Sequence, residues 1–214
     1  MSPLIRSSPV RSSALALAAL ALAAGATAGC GPNPYEARIE GVLLADADNV
    51  AAPGTGPLVK LTATGAEPEL LAGAVRLAVE RTVPWSRVAA ALQRAAAAGA
   101  TPTILVGNRD QVHGFVLSDD VTGPAIQVTS TPDGKFCVGP PTSELAKCVQ
   151  SSDKRHVNRA FVREIIRDAV KAYDLTDVEV HVTPDLEWAD VVRTIDGART
   201  CCGKTVPRVK LADG

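Results

Sequence analysis

The sequence predicts an α+β chain: two small related sandwich domains, each a sheet with helices packed on one face, the second ordered β-β-α-β-α-β. Three observations predict it. The chain matches itself without a gap at an offset of 103 residues. Each matched unit reads as strand, helix, strand. From Pro124 onward, a hairpin and a long amphipathic helix precede the second unit.

The match lays A-V-R-L-A-V-E-R-T-V-P-W-S-R-V, from Ala74, on D-V-E-V-H-V-T-P-D-L-E-W-A-D-V, from Asp177. Val75, Leu77 and Val79 meet Val178, Val180 and Val182, alternating as a half-buried strand does. Trp85 meets Trp188, and these are the only two tryptophans. Val88 and Leu92 meet Val191 and Ile195 at helical spacing. Gly99 and Gly203 then stop the helices, and T-I-L-V (103–106) and R-V-K-L (208–211) follow as strands. A helix of this length joining two strands is the βαβ crossover. Matched tryptophans in an ungapped register point to an internal duplication.

The remaining elements read in chain order. Residues 38–44 and 58–63 are strand-like, P-G-T-G-P (53–57) is a loop, and F-V-L-S (115–118) continues the first sheet. A-I-Q-V-T-S-T-P-D-G-K-F-C-V (125–138) is a hairpin about a Pro-Asp-Gly turn. Residues 156–173 form a helix with Val157, Phe161, Ile165, Ala169 and Tyr173 on one face. The first half has no equivalent of that helix.

A-R-T-C-C-G-K-T (198–205) loosely fits a phosphate-binding P-loop. A P-loop needs a strand before it and a helix directly after the Lys. Here a helix precedes Gly203 and a strand follows it, so the glycine ends a helix.

The N-terminus carries Arg6 and Arg11, an apolar Ala/Leu run (14–24) and T-A-G-C. This is a secretory signal peptide, too short to span a membrane. It resembles a bacterial lipoprotein signal, and that resemblance makes Cys30 the lipidated first residue of the mature chain. Gly31 beside it carries no acidic retention signal, which favours the outer over the inner membrane. Without the two signal arginines the balance is 20 basic to 23 acidic residues, which argues against a nucleic-acid partner. Residues 1–29 are thus a signal, 30–57 a lipid-anchored segment and linker, 58–122 a partial repeat and 124–214 the fuller domain. Export places Cys137, Cys148, Cys201 and Cys202 where disulfides persist. Four cysteines allow three pairings, among which sequence does not choose.

The chain resembles the periplasmic domain of the ExbD/TolR family. The resemblance rests on V-E-R-T-V-P-W, with Glu80 at the family's acidic position and Trp85 at its aromatic one, and on Trp188, Asp196 and Gly203 in the second copy, where Thr183 replaces the acid. The hairpin with Asp133-Gly134 fits the family's first two strands. It covers residues 124–214 well and 58–106 in part. It implies a lipid-anchored periplasmic binding or scaffold module, accessory to biopolymer transport or envelope integrity. The implied partners are envelope proteins of ExbB/TolQ or TonB type, peptidoglycan, or a second copy in a homodimer. Family members carry an intramembrane Asp that handles protons. The N-terminal segment here has no acid, so proton coupling is not expected of this chain. The alternative is a structural envelope lipoprotein with no specific ligand.

Catalytic patterns are lacking: there is no G-x-S-x-G, H-E-x-x-H or paired C-x-x-C. No enzyme activity and no cofactor are expected. D-A-D-N (46–49) lacks the spaced ligands of a calcium loop and reads as a turn. His113, His156 and His181 are scattered, so no metal is expected. The partner-binding candidate is a cationic stripe, Arg159, Arg163, Arg167 and Lys171, preceded by Lys154 and Arg155. It suits an anionic polymer or acidic protein patch. Its plainer reading is a solvated face supported by Glu164 and Asp168.

Overall fold

A computed structural model describes residues 36–65, 69, 72–141, 147–152, 156–203 and 207–212. The signal, Cys30, Lys154, Arg155, Lys204 and Thr205 lie outside them. The fold is α+β, with three helices and three sheets among the described residues.

The two matched units form as strand, helix, parallel strand. In the first, β4 (Gly73–Val79) leads through α1 (Trp85–Ala97) to β5 (Ala100–Asn108). In the second, β10 (Asp177–Val182) leads through α3 (Trp188–Arg199) to β11 (Arg208–Leu211). β4 pairs parallel with β5, as β10 does with β11. The first unit is completed by β3 (Leu58–Leu61), parallel to β4, and by β6 (Gln111–Phe115), antiparallel to β5. That sheet runs β3-β4-β5-β6.

The second sheet runs β11-β10-β7-β8-β9, with β7 (Ile126–Ser130), β8 (Lys135–Gly139) and β9 (Lys147–Gln150). Gly134, at φ +72, turns the chain between β7 and β8. The order is therefore β-β-β-α-β-α-β, one strand more than the sequence suggests. K-C-V-Q in β9 is a short, largely exposed edge strand with no apolar alternation to announce it.

The helix α2 (Arg159–Tyr173) begins at Asn158, whose side chain accepts from Ala160 N–H. Its core face is Val162, Ile166 and Ala169, with Val157 buried just ahead of it. Phe161, Ile165 and Tyr173 are only half buried. The expected stripe of every fourth residue drifts, because four steps at 3.6 residues per turn overshoot by about 40°. Gly197 sits where α3 crosses α2: a Cβ there would lie 2.8 Å from Val162 Cβ.

The halves do not stand apart. Residues Tyr35–Gly214 form one compact unit, and one apolar cluster joins Leu77, Val79 and Val88 to Val178, Val180 and Ile195. At their meeting point four backbone bonds keep the 103-residue offset. Trp85 N–H donates to Leu186 O (2.8 Å) and Trp188 N–H to Val83 O (2.8 Å). Ser86 N–H donates to Pro184 O and Ala189 N–H to Arg81 O, each at 2.9 Å. The indoles of Trp85 and Trp188 stack across this seam, centroids 6.3 Å apart and planes 12° apart. Trp188 is fully buried, whereas Trp85 is half buried at the rim.

The stretch read as a linker is partly built in. β1 (Arg38–Ile39) and β2 (Val42–Leu43) form a hairpin turned by Glu40 and Gly41, in place of one strand over 38–44. Ala37, Val42, Leu44, Ala45 and Ala47 are buried. Strap bonds follow, with Ala47 N–H donating to Gly107 O and Gly107 N–H to Ala45 O.

Candidate functional site

The cationic stripe does not stay together. Arg159 points inward, with 19% of its side chain exposed. Its Nη1 lies 2.7 Å from Asp48 Oδ2 and its Nη2 2.6 Å from Asp46 Oδ2. Nη2 also donates to Asp46 O at 2.8 Å. Nε is 2.8 Å from Asp196 Oδ2, in ion-pair contact without the alignment of a hydrogen bond. Asp196 is fully buried and accepts from the backbone N–H of Asp48 (2.9 Å) and Asn49 (2.7 Å). The D-A-D-N turn therefore wraps a cation, and that cation is the chain's own guanidinium.

Burial pushes the Asp196 carboxyl above the usual carboxylate range, against the two N–H donors and Arg159. Burial pulls the Arg159 guanidinium down, but Asp48, Asp196 and Asp46 outweigh it and hold it above its ordinary value. This ion cluster ties the N-terminal strap to α2 and α3. It removes Arg159 from the partner-binding stripe, because the drift along α2 carries position 159 about 120° from position 171.

Arg163, Arg167 and Lys171 are exposed. Arg167 lies 3.9 Å from Glu164 and 3.7 Å from Asp168, loose contacts on a solvated face. Beside them an open groove of about 320 Å³ is lined by Arg167, Val170, Lys171, Cys201, Cys202 and Gly203.

The four cysteines fall into two pairs at bonding distance, Cys137 with Cys148 across β8 and β9, and Cys201 with Cys202 after α3. Gly203 turns at φ +68 between α3 and β11, three residues past the helix's C-cap Thr200. Glu80 accepts from Ala63 N–H at 2.8 Å, which makes it a clasp on the end of β3.

A second polar group was missed from sequence. His156 Nδ1 lies 3.2 Å from Asp190 Oδ2, and Arg193 Nη1 donates to Asp190 Oδ1 at 2.7 Å. One ligand atom each from His156, Glu187 and Asp190 lies within 4.8 Å of the others. An open recess of about 350 Å³ adjoins them, lined by His156, Val157, Asn158, Arg159 and Arg193. The signal was E-x-x-D at the α3 N-terminus, but its histidine partner stands 31 residues upstream of Glu187. His113 and His181 are not members of this group and lie on β6 and β10, where His181 Nε2 contacts Gln127 Oε1.

Comparison with known proteins finds no family model, no curated protein and no solved structure that matches this chain.

Proposed function

We propose that the chain is a lipid-anchored envelope protein facing the periplasm, whose folded unit is a binding and scaffold module of the ExbD/TolR periplasmic type. It would serve biopolymer transport or envelope integrity without catalysing a reaction or carrying protons across the membrane. The observation that carries the binding role is the exposed row Arg163, Arg167 and Lys171 beside an open groove. A row of cations with long, mobile arms suits an acidic patch on an envelope protein, or peptidoglycan, and speeds encounter by steering. The anchor rests on T-A-G-C and Cys30. Two or three acyl chains there would hold the protein firmly, at about 0.8 kcal/mol per buried CH₂.

Reversal of both Arg163 and Arg167 to Glu should abolish capture of ExbB/TolQ- or TonB-type proteins, or co-sedimentation with peptidoglycan, while leaving the melting temperature intact. Wild-type capture should weaken as salt rises, because the Debye length is about 8 Å at physiological ionic strength. Equal capture by wild type and the double reversal would sink the binding role. Cys30→Ser should move the protein from the membrane to the soluble fraction. A variant that stays membrane-bound would remove the anchor from the reading.

A structural lipoprotein with no specific ligand is the second reading. What favours it is that Arg167 already has Glu164 and Asp168 near it, and that the exposed large hydrophobic among the described residues is Val116 alone.

A further inference from the structure

The geometry points to a divalent transition-metal site formed by His156, Glu187 and Asp190, with zinc the ion its donors suit best. The three come from two elements that the fold brings together. His156 lies two residues ahead of Asn158, which caps α2. Glu187 is the N-cap residue of α3 and Asp190 lies in its first turn, a spacing that puts both on one side of the helix.

The His156–Asp190 separation suits one small ion, and the 4.8 Å bound on the set leaves the Glu187 side chain a short movement to complete it. Zinc binds imidazole nitrogen at about 2.0–2.1 Å and carboxylate oxygen at about 2.0–2.2 Å, so ligands in a tetrahedron stand roughly 3.4 Å apart. His156 Nδ1 and Asp190 Oδ2 are 3.2 Å apart, and all three donor atoms lie within 4.8 Å of one another. The set has nitrogen and oxygen and no sulfur, which suits borderline divalent ions. Three protein ligands leave a fourth position for water, next to the recess.

Two features go beyond a simple His–Asp pair. Asp190 is 3% exposed, and Arg193 fixes its other oxygen, as an outer partner orients a ligating carboxylate. The Glu187 carboxylate supplies no cap to α3 and makes no side-chain hydrogen bond or ion pair among the described residues, although the Glu187 carbonyl accepts from Asp190 and Val191 N–H. An unpaired carboxylate close to a buried one is unfavourable unless a cation joins them. A single imidazolium–carboxylate contact accounts for His156 and Asp190 but leaves Glu187 unexplained. The positions 103 residues upstream of Glu187, Asp190 and Arg193 are Pro84, Arg87 and Ala90, so the first unit has no such set.

The test titrates zinc chloride into the metal-stripped full chain by calorimetry. One site per chain is expected, with a melting temperature that rises to saturation with zinc. His156→Ala and Glu187→Gln should each weaken binding at least tenfold and remove that rise. Asp190 is left intact because it also holds Arg193. Cobalt should give visible absorption bands in the wild type that the His156→Ala protein lacks. A double replacement of His113 and His181 by Ala should bind zinc normally. Three outcomes overturn the assignment: no heat and no thermal shift at millimolar zinc, an effect in only one of the two ligand variants, or binding that depends on Cys201 and Cys202 instead.

Discussion

The two βαβ units share an order of strand, helix and parallel strand, and differ in what lies around it. α1 buries only Val88, Ala91 and Ala95 of its thirteen residues. α3 buries eleven of its twelve residues, including Asp190, Thr194 and Asp196. At matched positions, Arg87 of α1 reaches outward and donates to the carbonyls of Thr62, Ala63 and Gly65 at 3.0, 2.6 and 2.9 Å. Asp190 of α3 is enclosed between His156 and Arg193. Gln93 is exposed, while its counterpart Asp196 is fully buried on Arg159. The same local pattern yields a peripheral helix in one half and a central one in the other. What decides is α2, which has no counterpart among the described residues of the first half and which packs on α3 through Gly197.

The largest test of this contrast is at the tryptophans. Trp188→Ala should cost about 3–5 kcal/mol, the usual loss for a fully buried aromatic. Trp85→Ala, at the half-buried rim, should cost about half of that. Urea melts of the two variants measure both. Equal losses would mean that the ring stack, and not burial depth, carries the energy.

The next contrast is Asp196→Ala against Gln93→Ala. Removing Asp196 leaves Arg159 without its buried partner and should cost about 3 kcal/mol; removing Gln93 should stay within about 0.5 kcal/mol. Acid sharpens it. The raised Asp196 carboxyl means that the native state holds this proton more tightly than the unfolded chain, whose value is near 3.8. Its contribution is therefore fully present below that value and is lost as pH rises above it. The gap in melting temperature between wild type and Asp196→Asn should widen on acidification from about pH 6 to about pH 3, the range around a carboxylate's ordinary value. A gap that narrows would show that the Arg159 pairing outweighs burial.

The last contrast concerns the cysteines, and the four among the described residues all fall in the second half. Cys137 and Cys148 are 11 residues apart, and a bond closing such a loop stabilises by about 3 kcal/mol in the chain-entropy account. Cys201 and Cys202 are neighbours and close no loop to speak of. Replacing the first pair by Ser should lower the melting temperature clearly, and replacing the second should barely move it. A large drop from the second pair would assign that bond a packing role in the turn before β11.

Most of the regular elements were legible, because alternation at Val178, Val180 and Val182 and helical spacing at Val191 and Ile195 are strong local signals. β9 was not, since K-C-V-Q on an edge carries no buried face. The rotation of α2 was missed by reading every fourth residue as one line, which placed Phe161 and Ile165 too deep and Arg159 outside. The ion cluster joins positions 46 and 48 to 159 and 196, and no local period reports contacts at that range. One clue was present: a helix as apolar as W-A-D-V-V-R-T-I-D-G-A has no solvent face for both aspartates. A buried acid there calls for a cation, and Arg159 supplies it for Asp196.

The reciprocal bonds at the tryptophan seam have a consequence for assembly. Trp85 to Leu186 and Trp188 to Val83 are one contact and its mirror in sequence, the form an isologous interface takes when two copies meet about a two-fold axis. In this chain both sides of that contact belong to one polypeptide, so the self-complementary patch is already consumed and its symmetry is closed. A further copy, or any partner, finds no free half of it to engage. Association must begin on a different surface, and it can be asymmetric, because the two faces left outward carry different helices.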